Sequence, residues 1–252
     1  MHAMVEVATG ADPDLVSDRL RVFGAVGVEI RDDVVVGAFT DAAAANAAAV
    51  DLNGRCFTVG DTTGLDEWRD HAVVVAAGPF SIRPPWLDAG SGLDLVIDPG
   101  HAFGSGSHPS TRLILALAAD LVSPGARVVD LGTGSGILAV AAARLGAVVQ
   151  AVDTDPAAAA AVAANAAANR VADEVTFRAG DAAEVEGSFE FGVCNMTIDL
   201  HERIGPSLTA DIGCLIVGGV LTGGQEERVA TAHGREIRGR RVEGDWAALV
   251  LE

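Results

Sequence analysis

The chain has 252 residues, 35 acidic against 17 basic side chains and a formal charge of -18. Half of the residues are hydrophobic, which excludes disorder throughout, and the length suits one large domain or a medium domain beside a small one. So acidic a surface repels phosphates, which argues against a general binder of nucleic acid or anionic membranes and is compatible with a basic protein partner.

All 17 basic residues are arginine; lysine and tyrosine are absent. Cys56, Cys194 and Cys214 are an odd number without Cys-x-x-Cys spacing, so neither a disulfide framework nor a zinc knuckle is expected. The first residues lack a basic stretch followed by an apolar one, and no uninterrupted apolar run of about 18 residues occurs. The expectation is a cytoplasmic protein with no membrane partner.

Met4–Ala8 alternates like a strand. Asp12 or Asp14 is placed to cap a helix over Asp14–Phe23, with Pro13 near its first turn. Val26–Ile30 and Val34–Phe39 read as strands around an Asp32-Asp33 turn. Asp41 is placed to cap the alanine-rich helix Ala42–Val50, and Arg55–Val59 offers a last strand. This order of strand, helix, strand, strand, helix, strand predicts a ferredoxin-like domain over residues 1–60. Residues 61–93 carry breaker signals at Thr62-Thr63-Gly64, Gly78-Pro79, Pro84-Pro85 and Gly90-Ser91-Gly92. With Trp68 and Trp86 inside it, this connector is too apolar for a free tether and is expected to pack on its neighbours.

In residues 94–252 the pattern sharpens. Leu113–Leu121 is an apolar helix, Arg127–Leu131 a buried strand, and Gly136–Leu145 a helix ended by Gly146. Val148–Val152 is a strand, and Asp155-Pro156 opens a helix to the neighbourhood of Asn169. Strands at Val175–Arg178, Phe189–Cys194 and Leu215–Leu221 then alternate with helices near Leu200–Leu208 and from Gln225. Arg235–Arg240 and Ala247–Leu251, joined by a Glu243-Gly244-Asp245 turn, read as an antiparallel terminal pair. The predicted fold class is α/β: a doubly wound, mostly parallel sheet preceded by a small α+β domain.

Val128-Val129-Asp130-Leu131-Gly132-Thr133-Gly134-Ser135-Gly136 falls at a strand-to-helix junction, where glycines let the backbone turn tightly and approach a ligand. Ile137 stands where a dinucleotide fingerprint needs its third glycine. A chain without lysine cannot build a Walker-type phosphate loop. Asp130 is placed to accept from a ligand ammonium group. Asp153 ends the next strand, 17 residues after Gly136, like the carboxylate that holds ribose hydroxyls. Asp181, after the following strand, is placed to accept from an adenine amino group. Ammonium, ribose and adenine without phosphate describe S-adenosylmethionine; the alternative for each aspartate is a helix cap or a turn.

A second glycine-rich segment, Asp98-Pro99-Gly100-His101-Ala102-Phe103-Gly104-Ser105-Gly106-Ser107-His108-Pro109-Ser110-Thr111, taken alone, is a flexible loop leading into a capped helix. Followed by the glycine motif at this distance, then by Val152-Asp153-Thr154-Asp155-Pro156, Cys194-Asn195-Met196-Thr197 and Leu221-Thr222-Gly223-Gly224, it resembles the bacterial methyltransferases of the eleventh large-subunit ribosomal protein. Trp68 and Pro84–Trp86 also resemble landmarks of that family. The resemblance spans most of the chain. It implies an N-terminal domain that recognises the ribosomal protein and a catalytic domain that methylates its lysine side chains and terminal amine from S-adenosylmethionine. On matching positions it places Thr111, Gly132, Asp153 and Asn195 at the cofactor, with Phe103 and His108 shaping a pocket lid. Gly134 and Gly136 complete the glycine loop. The sequence departs from the family at His101, where methionine or leucine is usual, and within Asn195-Met196-Thr197-Ile198-Asp199-Leu200, which carries aspartate where a second asparagine is common. Gly223-Gly224 departs slightly as well.

Methyl transfer needs the amine held in line with the methyl carbon and sulfur, and a lysine must first lose its proton. Asn195, with its side-chain oxygen and the adjacent backbone carbonyl, is the candidate catalytic residue that orients the amine. Asp199 is a candidate proton acceptor through water, or an exposed carboxylate in a helix's first turn. His71 and His233 read as solvated. His101, His108 and His201 are placed to converge, but without metal-site spacing no metal is expected. A methyltransferase for a small molecule or another protein, or a non-catalytic cofactor-binding assembly factor, are the competing readings. The expected partner is the basic ribosomal protein, without direct contact to nucleic acid, and the expected state is a monomer.

Overall fold

A computed structural model describes residues 2–8, 13–25, 27–31, 34–59, 72–98 and 104–252. The chain divides into two units, Met1–His71 and Ala72–Glu252.

The smaller unit runs β1 (His2–Ala8), α1 (Pro13–Val22), β2 (Gly27–Arg31), β3 (Val34–Phe39), α2 (Ala42–Asp51), β4 (Arg55–Val59). Its antiparallel sheet has the order β2-β3-β1-β4, which is the ferredoxin-like arrangement. Two-residue alternation sends Ala3, Val5 and Val7 of β1 and Val35 of β3 to one face, where they meet Val16, Leu20, Ala45 and Ala48 of the helices. Asp41 caps α2 as expected, its carboxylate accepting from the Ala43 N–H at 2.9 Å. Asp12, the Asp32-Asp33 turn, Trp68 and His71 lie outside the described residues.

In the larger unit, residues 72–93, read from the sequence as part of a connector, contain β5 (Val75–Ala77), β6 (Phe80–Arg83) and the start of β7 (Leu93–Val96). These form a three-stranded sheet. Phe80, Ile82, Leu95 and Ile97 enter the large hydrophobic core. The Arg83 guanidinium holds the intervening turn: it pairs with both Asp94 carboxylate oxygens at 2.8 Å and donates to the Leu87 carbonyl at 2.6 Å.

The remaining elements are α3 (Pro109–Leu121), β8 (Arg127–Leu131), α4 (Ile137–Arg144), β9 (Val148–Asp153), α5 (Ala158–Ala168), β10 (Val175–Ala179), β11 (Ser188–Asn195), α6 (Ile198–Ile204), β12 (Asp211–Leu221), α7 (Gln225–His233), β13 (Ile237–Glu243) and β14 (Trp246–Leu251). The seven-stranded sheet has the order β10-β9-β8-β11-β12-β14-β13. It is parallel except for β14, which runs antiparallel to both neighbours. Its inner strands are apolar on both faces because both are covered, whereas the edge strands β10 and β13 are largely exposed. Val128, Val193 and Ile216 face a core shared with Ile114, Leu138 and Val162, whereas Leu131, Val217 and Leu249 face one shared with Ile204 and Val229. From β8 the chain steps outward to β9 and β10, then returns to β11 on the other side. That reversal opens a crevice at the carboxyl ends of β8 and β11.

Helix starts differ modestly from the sequence expectation. α3 begins at Pro109 rather than Leu113, because His108 caps it and proline suits the first turn. α6 stops at Ile204 and continues as a 3₁₀ turn, Gly205–Ser207, where Pro206 has no N–H to extend an α-helix. Among the described residues no helix is long and apolar enough to cross a membrane.

Candidate active site

The glycine loop leaves β8 and is pinned to β9: the Gly132 and Thr133 N–H groups donate to the Val152 carbonyl at 2.8 and 3.0 Å. Gly132 lies at φ +73°, and a Cβ there would collide with the Met196 side chain that follows β11. Gly136, at φ +82°, opens α4 with Val162 of α5 so close that a Cβ would sit 3.2 Å from its Cα. The left-handed turn favours glycine at both positions, and at Gly136 the close approach of the Val162 backbone does so as well. The Gly134 N–H donates to Asp153 Oδ2 at 2.9 Å, and Asp153 Oδ1 accepts from the Asp155 N–H at 3.0 Å. The carboxylate expected at a ribose therefore stands at its strand end against the glycine loop.

Asp130 is fully buried. Its Oδ2 accepts from the Thr133 hydroxyl at 2.6 Å and from the Ala139 N–H at 3.0 Å, tying the loop to α4. Among the described residues its buried Oδ1 has no hydrogen-bond partner. Burial pushes this carboxyl up from the ordinary 3.8 to about 7; the two hydrogen bonds oppose the shift and the charge of Asp153 adds to it. A buried carboxylate oxygen without a donor is costly, so the site fits a ligand that brings an N–H or a cation.

Asp181 follows β10, and the preceding Gly180 N–H donates to the Asp153 carbonyl at 2.9 Å, which ties the two strand ends together. The capping alternative is realised here: Asp181 Oδ1 accepts from the Ala183 N–H at 3.0 Å. Its Oδ2 lies 3.4 Å from Arg203.

Across the crevice, Asn195 is the last residue of β11, in register with Gly218 of β12. Its Nδ2 donates to Thr111 Oγ1 at 3.0 Å, which brings together two residues 84 positions apart. Thr111 is buried in the first turn of α3. Phe103 and His101 lie outside the described residues. The described end of their loop is fixed from two sides. The Ser135 hydroxyl donates to the Gly104 carbonyl at 2.7 Å, and the His108 ring packs edge-on against Trp246 of β14 with centroids 4.5 Å apart. Arg112 pairs with Glu243 and donates to the Ser107 carbonyl. Burial, helped by the Arg112 charge and opposed by Glu243, holds the His108 ring below its ordinary pKa.

Two functional supports escaped sequence reasoning. Asn165 and Asn169 sit one turn apart on the alanine-rich α5 and its end. Asn165 Nδ2 donates to the carbonyls of Asp98 and Ser135 at 3.0 and 2.9 Å, and its Oδ1 accepts from the Asp98 N–H at 2.9 Å. Asn169 bonds the Val96 N–H and carbonyl in the same way at 2.9 and 2.6 Å. The readable signal was two buried-face amides four residues apart in a run of alanine.

His233 corrects an expectation: rather than being solvated, it closes α7 half-buried against His201, 3.1 Å from its ring. His201 faces that ring and the β12 backbone, while His108 caps α3. Among the described residues no cluster of metal-ligating groups forms. Asp199 is an exposed carboxylate in the first turn of α6.

The sequence profile described as ribosomal protein L11 methyltransferase (PrmA) matches residues 42–252. The ribosomal protein L11 methyltransferase of Thermus thermophilus is 37% identical over 214 residues, which span 80% of this chain and 83% of that protein. That of Pelotomaculum thermopropionicum is 42% identical over 207 residues, 76% of this chain and 66% of its own length. The crystal structure of ribosomal protein L11 methylase from Lactobacillus delbrueckii subsp. bulgaricus matches with a TM-score of 0.60 at 29% identity, over 71% of this chain and 97% of that one. With the profile matched over most of its length and the two glycine-rich segments tied to each other by Ser135 and Asn165, the chain belongs to the ribosomal protein L11 methyltransferase family.

Proposed function

We propose that this protein transfers methyl groups from S-adenosylmethionine to lysine side-chain and terminal amines of ribosomal protein L11, at the crevice above β8 and β11. The observation that carries the reading is the buried Oδ1 of Asp130 beneath the glycine loop, which has no partner among the described residues. An ammonium group satisfies that oxygen, whereas a pyrophosphate brought between Asp130 and Asp153 meets two carboxylates.

S-adenosylmethionine supplies a methyl group made electrophilic by its sulfonium. Asp130, the backbone of Gly132, Gly134 and Gly136, and Asp153 would hold its ammonium and ribose, and Asp181 its adenine end. Thr111 and Phe103 would close on it from the loop before α3. Because the Nδ2 of Asn195 is engaged by Thr111, its Oδ1 is the atom presented to an incoming amine N–H. Deprotonating a lysine at pH 7 costs roughly 4–5 kcal/mol from its reference pKa, and desolvation in a closed crevice lowers that cost. Asp199, exposed on α6, would take the lysine proton only by way of water.

Residues 1–60 would recognise the substrate, 61–93 connect, and 94–252 catalyse. The smaller unit has its own core and no glycine loop. The charge of -18 attracts a basic protein and repels nucleic acid. The reading places a monomeric enzyme in the cytoplasm with its ribosomal substrate. Intact-mass spectrometry of purified L11, incubated with the enzyme and S-adenosylmethionine, tests it. Methyl-sized increments on L11 are expected; an unchanged L11 mass beside a methylated small amine would reassign the substrate.

A further inference from the structure

Behind Asn195 lies a buried chain of polar groups that the proposed reaction does not use directly. His201 of α6 is wholly buried. Its Nε2 is 3.0 Å from the Gly218 carbonyl oxygen, and its Nδ1 is 3.1 Å from Nε2 of His233. A carbonyl only accepts, so His201 Nε2 carries the proton; Nδ1 of the neutral ring then accepts, and His233 Nε2 donates to it. Cys194 Sγ, 3.9 Å from the same Nδ1, is a second and weaker donor, since burial pushes its thiol up and keeps it protonated. Burial also holds both rings below the ordinary histidine value, with His233 near 4.

The carbonyl at the end of this chain is the partner of the candidate catalytic strand end. Gly218 lies in register with Asn195, and its carbonyl also accepts from the Met196 N–H at 3.2 Å. The next residue, Gly219, at φ +76°, runs so close that a Cβ would strike the Met196 carbonyl. The Gly218 carbonyl thus takes one donor from the peptide that follows Asn195 and one from His201. Moving either donor moves the Asn195 amide relative to Thr111.

We propose that His201, held as its Nε2–H tautomer by the Gly218 carbonyl with His233 donating to its other ring nitrogen, is a positioning residue for methyl transfer: it holds the Gly218 carbonyl and so aims the Asn195 side chain. This rests on the reading of Asn195 as the group that orients the amine.

The test combines nitrogen-15 NMR with steady-state kinetics on the full chain. In the wild type, His201 should show a protonated Nε2 and an accepting Nδ1 at neutral pH. His201→Leu should shift the Asn195 side-chain amide signal and lower kcat roughly 10- to 100-fold, the scale of a misplaced reacting group. His201→Gln, whose amide can still donate to Gly218, should return the Asn195 signal and recover most of the turnover. If His201→Leu does not melt cooperatively, His233→Leu carries the test. Without that donor, the His201 Nδ1 nitrogen-15 signal should shift and kcat should fall, whereas His233→Gln should preserve both. An unshifted Asn195 signal with wild-type kcat, or Leu and Gln variants that behave alike at both positions, would overturn the proposal. A wild-type enzyme that leaves L11 unmodified would sink the proposed function instead, and the Asn195 signal would still decide whether the linkage exists.

Discussion

Replacing Asn165 by leucine separates the tie between the two glycine-rich segments from everything else in the unit. The side chain is 2% exposed and satisfies three backbone groups: the Asp98 N–H, the Asp98 carbonyl and the Ser135 carbonyl. Leucine keeps the volume and the helix propensity of α5 but strands all three. At about 1–3 kcal/mol per stranded buried group, and with Asp98 only half-buried so that water reaches part of it, the expected loss is about 3–5 kcal/mol. Ser135 also carries the hydroxyl that holds Gly104, so the loss reaches the loop that leads to Thr111 and cofactor affinity should fall with stability. Urea denaturation measures the first, and calorimetric titration with S-adenosylhomocysteine the second. Asn46→Leu is the matched control, an exposed asparagine on α2 of the other unit, expected within about 0.5 kcal/mol of the wild type. A loss below about 1 kcal/mol for Asn165→Leu, with unchanged affinity, would refute the reasoning and mean that water replaces the amide.

Asp153→Ala and Gly132→Val should each strongly weaken S-adenosylmethionine binding while leaving a cooperative melt, the first by removing charge-assisted bonds worth roughly 1.5–3 kcal/mol; near-wild-type calorimetric affinity in both would remove the cofactor-site assignment. Asp130 titrates near 7 in the folded protein against an ordinary 3.8, so the folded state holds the extra proton. Its contribution to stability is therefore fully present below about pH 4 and lost as pH rises through about 7, and Asp130→Asn should flatten that part of the stability curve, a slope that denaturation at a series of pH values reads directly. A chain beginning at Ala72 should still bind S-adenosylmethionine but lose most L11 methylation; full-rate methylation by this truncated protein would show that the smaller unit does not recognise the substrate. Neither NAD nor ATP should raise the melting temperature under conditions where S-adenosylmethionine does.

The sheet was legible because its signals are local. β8, β9 and β12 are apolar runs bounded by turns, and the glycine loop between β8 and α4 has few other conformational solutions. Thr111 and Asn195 were legible only through the family resemblance, since no spacing rule joins residues 84 apart. The short strands β5 and β6 were read as connector because three or four residues between Gly-Pro and Pro-Pro breakers show no period. Their burial comes from Ile114 and Leu117, which are distant in sequence. His233 was misread for a similar reason. Its own neighbours, Thr231, Ala232 and Gly234, are polar or small, and what buries it is His201 on another helix. Asn165 and Asn169 look like ordinary helix residues until the backbone they satisfy is brought alongside.

The aspartates argue that capping and ligand binding are not competing roles in this crevice. A carboxylate offers about four acceptor positions, and the fold uses only some of them. Asp130 spends Oδ2 on Thr133 and Ala139 and leaves Oδ1 without a partner among the described residues. Asp153 spends one lone pair of each oxygen on Gly134 and Asp155. Each bond to the loop fixes it before any ligand arrives, which reduces the ordering cost that binding would otherwise meet. It follows that an alanine substitution confounds two losses, the ligand contact and the preformed loop. An asparagine substitution weights them differently at Asp153: its amide oxygen can still accept from Gly134, its NH2 cannot accept from the Asp155 N–H, and the charge toward the ribose is gone. Asp153→Asn should therefore melt between the wild type and Asp153→Ala and bind S-adenosylmethionine more weakly than the wild type, with Asp153→Ala weaker still. Equal affinities for the two variants would place the whole effect in the charge and none in the bond to Gly134.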